Sequence, residues 1–395
     1  GMSYETLARQ INLYTGGFSA APNNEVSLKS ANGFQEYFSV SSKALHQNVE
    51  KMFDLGMKIL NHWDFSNLAR VQTLIGQRTN SMLTSLVQSG HGYASSMAGR
   101  NLSRTSQIDE RYSGIHQIQF MKTLSQMQTH DLTPVLEKLN NILKQLLNSN
   151  NLSMLVVGES EYFNGITPFI ENFAHSLNSN QLAAEGTIKA DSGTTSPFQT
   201  GYQNEAWLTT TPVSYVAKCF KTPDFTHKDS PALLVLSNLL RSCYLHGELR
   251  EKGGAYGGMA GYNPDEGIFS MLSYRDPHLA RTISVYNSAV EWLESGSFTD
   301  QDVDETILQT CSGMDTPMSP AGKAIVEYVN ERKGKSKTLR KKFREGVLNC
   351  TKNDLVRVGS EYINTRPSLA AVTSEEIIKR DAALLEANKL DIHAV

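Results

Sequence analysis

Leu249-Arg250-Glu251-Lys252-Gly253-Gly254-Ala255-Tyr256-Gly257-Gly258 joins an apolar helix to a glycine-dense strand. Upstream, Pro231 to Arg250 is strongly apolar at helical length; downstream, Ala255–Tyr262 and Ile268–Tyr274 read as strands. Arg250 and Lys252 fall in the last helical turn, where cations offset the negative end of the helix dipole, and Gly253 stands where a left-handed residue ends the helix. That capping role accounts for the cations completely. It leaves the strand unexplained. Gly253, Gly254, Gly257, Gly258 and Gly261 surround a single Tyr256, yet glycine weakens a strand, and its usual reason there is close approach of another backbone. An extended peptide added to such an edge is held by main-chain hydrogen bonds. Arg250 would then grip a carbonyl or carboxylate, and Tyr256 would donate to an oxyanion as it forms. Arg250 and Tyr256 are the candidate catalytic groups, and they share the candidate substrate-binding surface with Gly254, Gly257 and Gly258.

The same order of signals occurs earlier in the chain. A helix over Glu5–Tyr14 stops at Gly16-Gly17, extended runs follow around Phe18–Ala21 and Phe34–Val40, and a helix runs from Leu45 to about His62 before a further one over Phe65–Ser89. Gly16-Gly17 precedes Gly253-Gly254 by 237 residues, and Phe38-Ser39 precedes Phe269-Ser270 by 231. A repeat of that length is a domain rather than a solenoid unit. Asp131–Leu147 reads as a helix with Pro134 in its first turn, Leu152–Val157 as a strand, and Tyr162–Leu177 as a helix. Ser, Thr, Asn and Gly dominate 178–204, which reads as a connection. A strand over Ala206–Phe220, helices over His278–Ser295 and Thr299–Gln309, a basic helical region, a strand at Ser368–Thr373 and a terminal helix complete the reading. The expectation is an α+β protein of two homologous domains, 1–180 and 204–395, joined by a linker over 181–203. Each would be an antiparallel-rich sheet with helices packed on one face.

Composition narrows the function. A chain of 395 residues suits two cores rather than one, and a net charge of -3 predicts no polyanion partner. The longest apolar run, Leu233–Leu240, is interrupted by Ser237 and Asn238, so no membrane span is predicted. Gly1-Met2 has the look of an artificial start, so a missing leader says nothing. Cys219, Cys243, Cys311 and Cys350 are scattered, which favours buried free thiols and a reducing compartment or organelle matrix. A helical zinc site needs two His four residues apart with an acid beside them, and none of the ten His has such a partner. No metal ligand is therefore predicted in this segment. His246-Gly247-Glu248 lacks the cysteine pair of a zinc deaminase. Gly158-Glu159-Ser160 lacks the second glycine of a nucleophile elbow, and the glycines after Lys252 lack the Lys-Ser or Lys-Thr of a phosphate loop. The basic run from Arg332 to Arg344 reads as a solvated helix face, with a cavity lining for acidic peptides and a nucleic-acid surface as rivals.

At the Arg/Tyr stretch the chain resembles the C-terminal half of a pitrilysin-type, inverted-zinc-motif metallopeptidase, most nearly the presequence-protease subfamily. Ile11-Asn12-Leu13-Tyr14-Thr15-Gly16-Gly17 is similar to the start of the family's third domain, and Asp315-Thr316-Pro317 with Pro320-Ala321-Gly322-Lys323 to a further subfamily feature. The resemblance implies four α+β domains around a closed chamber. Zinc would be bound by H-x-x-E-H in an N-terminal half that is the partner of this segment, and peptides would be the substrates. Residues 1–180 would then be the third, non-catalytic domain and 204–395 the fourth, carrying Arg250 for substrate positioning and Tyr256 for oxyanion stabilisation. H-x-x-E-H is absent here, so zinc ligation and general-base catalysis carry over to no residue, and the segment alone is expected to be inactive. Two rivals stand beside this reading: a stand-alone non-catalytic partner subunit of an active relative, and a scaffold in which Arg250 and Tyr256 only cap and pack.

Overall fold

A computed structural model describes residues 2–30, 33–178, 198–385 and 389–395. Most of the expected 181–203 linker lies outside the described residues, and the remainder, 198–203, has no regular structure. The first half runs α1 Tyr4–Tyr14, β1 Phe18–Val26, β2 Phe34–Ser42, α2 Val49–Asn61, α3 Leu68–Gln88, α4 Gly90–Gly99, α5 Arg104–Ser113, α6 Ile115–Gln126, α7 Thr133–Leu146 and α8 Phe163–Asn178. After the gap come β3 Asn204–Leu208, β4 Tyr215–Lys221, α9 Ser230–Leu239 continuing as a π-helix over Leu240–Glu251, β5 Gly257–Asn263 and β6 Ile268–Tyr274. Then follow α10 Ala280–Asn287, α11 Ala289–Glu294, α12 Asp300–Met314, α13 Pro320–Lys333, α14 Lys337–Leu348, α15 Lys352–Val358, β7 Ser368–Thr373, α16 Glu375–Leu385 and β8 Asp391–Ala394.

The fold is α+β. A six-stranded sheet with order β5-β6-β4-β7-β3-β8 dominates the second half, and a two-stranded ladder of β1 and β2 stands in the first. Three of the larger sheet's pairings are antiparallel; β3 runs parallel to both β7 and β8. The strand expected over Ala206–Phe220 is thus two strands in different places, separated by an irregular segment at 209–214. Leu152–Val157 makes no ladder among the described residues, so the strand expected there is not formed. The apolar alternation is present, but no neighbouring strand completes its backbone hydrogen bonds, and an isolated strand has little stability.

Both faces of the larger sheet are buried. On one side, Val216 and Phe220 of β4 and Phe269 and Met271 of β6 meet the second half's own helices through Leu233, Leu236, Leu240 and Ile283. Alternate residues, Tyr215, Ala217, Cys219, Ala370 and Val372, meet α3, α4 and α6 of the first half. The hydrophobic core therefore crosses the expected domain boundary. These helices were not legible in the sequence. α4 reads Gly90-His91-Gly92-Tyr93-Ala94-Ser95-Ser96-Met97-Ala98-Gly99, poor in helix formers and without an apolar stripe. Its small residues let the helix lie close on the sheet, where Ala94, Met97 and Ala98 are fully buried.

The contact is tightest at Gly90. A Cβ there would lie 2.3 Å from Cδ2 of Tyr215. Tyr215 cannot easily swing away, because it is buried and its hydroxyl donates to the Val87 carbonyl at 2.6 Å. Gly90→Ala is expected to destabilise the protein by about 1–3 kcal/mol through overpacking. An unchanged urea midpoint would show that the ring moves aside freely. Elsewhere local signals hold: Thr299 opens α12 with a capping box, its hydroxyl accepting from Asp302 N at 3.1 Å while the Asp302 carboxylate accepts from Thr299 N at 2.7 Å.

Candidate functional site

Arg250 and Tyr256 meet at one end of the sheet. The helix carrying Arg250 widens over its last twelve residues into π geometry, a departure from α-helix that often accompanies function. Lys252 N donates to Gly247 O at 3.0 Å, a five-residue step, and Ala255 N donates to Leu249 O at 2.9 Å. The extra residue in this turn moves the cap. Gly254, not the expected Gly253, takes the left-handed conformation, with φ of 75°. Gly253 is needed for another reason: a Cβ there would sit 2.6 Å from Leu249 O and 2.3 Å from Nη1 of Arg281.

The chain then enters β5, the edge strand of the sheet. Gly257 and Gly258 differ in what they face. A Cβ on Gly258 would lie 2.7 Å from Leu245 O, so this glycine admits the π-helix to the sheet and its α-carbon faces the interior. The approaching backbone inferred for that position is the protein's own. At Gly257 the nearest atom to a Cβ is Tyr274 Cβ at 3.9 Å, an ordinary contact on the more open side.

Tyr256 is 66% exposed, and the Arg250 guanidinium carbon lies 5.9 Å from its ring centroid. Arg250 makes no ion pair among the described residues, because the acids around it are already engaged. Glu248 takes Lys252 at 2.5 Å and its carbonyl accepts from Arg281 at 2.9 Å, while Glu251 faces His246 at 3.4 Å. A free guanidinium beside an exposed phenol is suited to a carbonyl or carboxylate brought from outside.

Further residues, not singled out in the sequence, build the floor of the site. Tyr256 N donates to Arg275 O at 3.3 Å, and Arg275 turns the chain with φ of 48°. That turn is pinned by Asp276, which exchanges backbone hydrogen bonds with Ser214 and accepts from the Thr282 hydroxyl at 2.6 Å. Burial raises the Asp276 carboxyl above its usual range against the pull of Thr282. Tyr274 presents its ring edge-on to Tyr256 at 5.6 Å and to His91 of α4 at 4.8 Å. Burial lowers the His91 pKa and so favours the neutral ring, and its Nδ1 is buried without a hydrogen-bond partner. Tyr274 was in principle legible, since antiparallel register sets it opposite Gly257. His91 was not, because only tertiary packing brings α4 to this edge.

The other motifs resolve into structure. Among the described residues, Lys333 pairs with Asp265 at 2.8 Å, Arg340 with Glu327 at 2.8 Å, and Arg332 with Glu25 at 3.1 Å, so much of the basic run is engaged internally. All four cysteines are free; three are buried and Cys243 is exposed. No helix among the described residues is long and apolar enough to cross a membrane.

A mixed sheet clothed on one face by its own helices and on the other by those of a preceding half is a peptidase-type architecture. The crystal structure of pitrilysin superimposes with a TM-score of 0.58 at 13% identity, over 93% of this chain and 37% of that one. Family models match at both ends: a peptidase-associated domain of the pitrilysin-type class over residues 1–124 and "PreP C-terminal domain" over 204–368. Mitochondrial presequence protease of Danio rerio is 29% identical over 96% of this chain, and that of Xenopus tropicalis 30% identical over 91%. The chain belongs to the pitrilysin-type peptidase family. Within it, the chain corresponds to the C-terminal part of the presequence proteases, spanning 38% of the Danio rerio protein and 37% of the Xenopus tropicalis one.

Proposed function

We propose that this chain is the C-terminal, substrate-holding part of a zinc metalloendopeptidase that degrades peptides in a closed chamber. The observation that carries the reading is the unpaired Arg250 beside the exposed Tyr256 at an open sheet edge. A peptide lying along β5 would add a strand by main-chain hydrogen bonds, with Arg250 holding a carbonyl and Tyr256 donating its hydroxyl proton to the oxygen that becomes negative. Gly254 and Gly257 would keep that edge low enough for the peptide backbone, while Gly258 supports it from within. The residues present do not fit zinc: among the described residues no three His, Cys, Asp or Glu side chains are grouped to hold a metal. In this reading, metal and general base belong to a separate N-terminal half carrying H-x-x-E-H. The two-domain division, with 204–395 as the fourth domain, is supported by the separate family matches on either side of 181–203. The mitochondrial relatives favour an organelle matrix.

Mixing this chain with a separately produced H-x-x-E-H half tests the proposal with a fluorogenic unstructured peptide. Neither part alone should cleave it, and the mixture should. A complex that forms but stays inactive would defeat the enzymatic reading and leave a binding or scaffold role.

A further inference from the structure

The two halves repeat one another in structure as well as sequence, and the comparison exposes a gap. In each, a helix ends at a glycine pair whose second member has positive φ, 99° at Gly17 and 75° at Gly254. Each continues into an antiparallel pair, β1–β2 or β5–β6, and then into helix. Near the end of each half an apolar hexapeptide precedes a helix: Leu152–Val157 before α8, and β7 before α16. Those helices also correspond. α8 packs on α2 through Phe169 and Phe173 against Phe53, as α16 meets α10 through Asp381 and the Leu279 and Ala280 amides.

What differs is the middle of the sheet. In the second half β4 lies between β6 and β7 and β3 lies beyond β7, so every residue of β7 is buried. In the first half β2 has no second neighbour among the described residues, and Leu152, Leu155 and Val157 are 37–40% exposed, as are Phe38 and Val40 of β2 at 37%. One turn of α13 touches both lips of this gap. Arg332 stacks over Tyr37 of β2 at 4.0 Å, and the Tyr328 hydroxyl meets Ser153 Oγ at 2.7 Å. An unpaired edge facing an unpaired apolar hexapeptide leaves backbone groups and apolar surface that a folded sheet does not leave open.

We infer that β2 and Leu152–Val157 are the two sides of an unfilled place in a second sheet, and that two β-strands preceding this segment in a longer protein fill it. Position identifies the occupant. β3 and β4 stand immediately ahead of α9, and one repeat length of 237 residues before them falls ahead of residue 1. The matched relatives are long enough to supply it, since this chain spans only 38% of the Danio rerio protein. One incoming strand, apolar throughout like β4, runs antiparallel to both sides; the other, like β3, runs parallel to Leu152–Val157 on its outer edge. The stretch Ile11–Gly17 is then the third element of its domain rather than the start.

Amide hydrogen exchange tests this on the chain as it stands and on one lengthened upstream by about 40 native residues, room for two strands and their connections. In the longer protein the amides of 34–42 and 152–157 should slow at least tenfold, with β5 and β6 unchanged. Equal exchange in both proteins overturns the inference. So does protection that appears in the shorter chain alone as its concentration rises, which would assign the place to a second copy. Leu155→Asp should leave the urea midpoint of the present chain where it is and lower that of the longer one; equal shifts in both would also overturn it. None of these readouts depends on peptide cleavage, so they stand or fall separately from the enzymatic proposal.

Discussion

Tyr256→Phe in the assembled enzyme is expected to lower kcat about 100-fold while leaving KM nearly unchanged, the size of effect seen when one oxyanion donor is removed. The physical reason is selectivity for the transition state. A peptide carbonyl in its ground state carries modest charge on oxygen and can be solvated by water, whereas the tetrahedral oxyanion gains most from a donor already in place. Phe keeps the ring, its edge contact with Tyr274 at 5.6 Å and the Arg250 stacking at 5.9 Å, so the variant removes a proton donor and little else. Arg250→Ala should behave differently, raising KM as well, because a guanidinium grips the substrate before and during reaction. Steady-state kinetics separate the two. Equal, purely KM effects would make both residues simple binding groups.

Arg100→Ala is expected to cost about 3–5 kcal/mol, because it strands a buried carboxylate. Arg100 leaves the C-terminal end of α4 and binds Glu205 of β3 through both nitrogens, the Nη1 contact at 2.9 Å. It also donates to the Met97 carbonyl at 2.9 Å, and the Trp207 indole supplies a further donor to Glu205 at 3.0 Å. Burial alone would raise the Glu205 carboxyl, but hydrogen bonds and charge from Arg100, with help from Trp207, hold it below the ordinary value of 4.5. A carboxyl depressed in the folded state stabilises the fold above its unfolded pKa, and that contribution disappears as pH falls through the folded one. The native protein therefore loses this stabilisation in acid. In Arg100→Ala the lone carboxylate is relieved by protonation, so the gap between the two proteins should be widest near neutrality and should narrow below about pH 4.5. Urea titrations at about pH 7 and about pH 4 measure both ends. A deficit below about 1 kcal/mol at neutral pH would mean that water solvates Glu205 and that the pair acts like a surface bridge.

That ion pair joins parts that look separate in the sequence. Reading along the chain, the composition shift at 178–204 argues for two bodies, and helix and strand periodicity locate most elements on each side of it. What periodicity could not show is that the first body's helices form the second face of the second body's sheet. α4 carries Gly90, Gly92, Ser95, Ser96 and Gly99, a composition whose reason lies in the surface of β4 and β7 rather than in helix formation. The same limit applied at the cap. Gly253 and Gly254 were interchangeable candidates for the left-handed position until the π turn and the Arg281 guanidinium decided between them. Leu152–Val157 carries the alternation of a strand, but a strand exists only where a neighbour accepts its hydrogen bonds.

By itself the sequence determined those features that depend on near neighbours: the apolar helix ending in cations and glycines, the paired strands after it, the duplication, and the lack of a spacing that could ligate zinc. The tertiary structure alone decided which groups share a surface. It brought Tyr274 and His91 beneath Tyr256, turned Gly258 inward, engaged Glu248 and Glu251 away from Arg250, and left one side of β2 without a partner among the described residues. The division is physical. Helical and strand periodicity are set by interactions a few residues apart, whereas burial, pairing and the freedom of a charge depend on which distant segments arrive beside it.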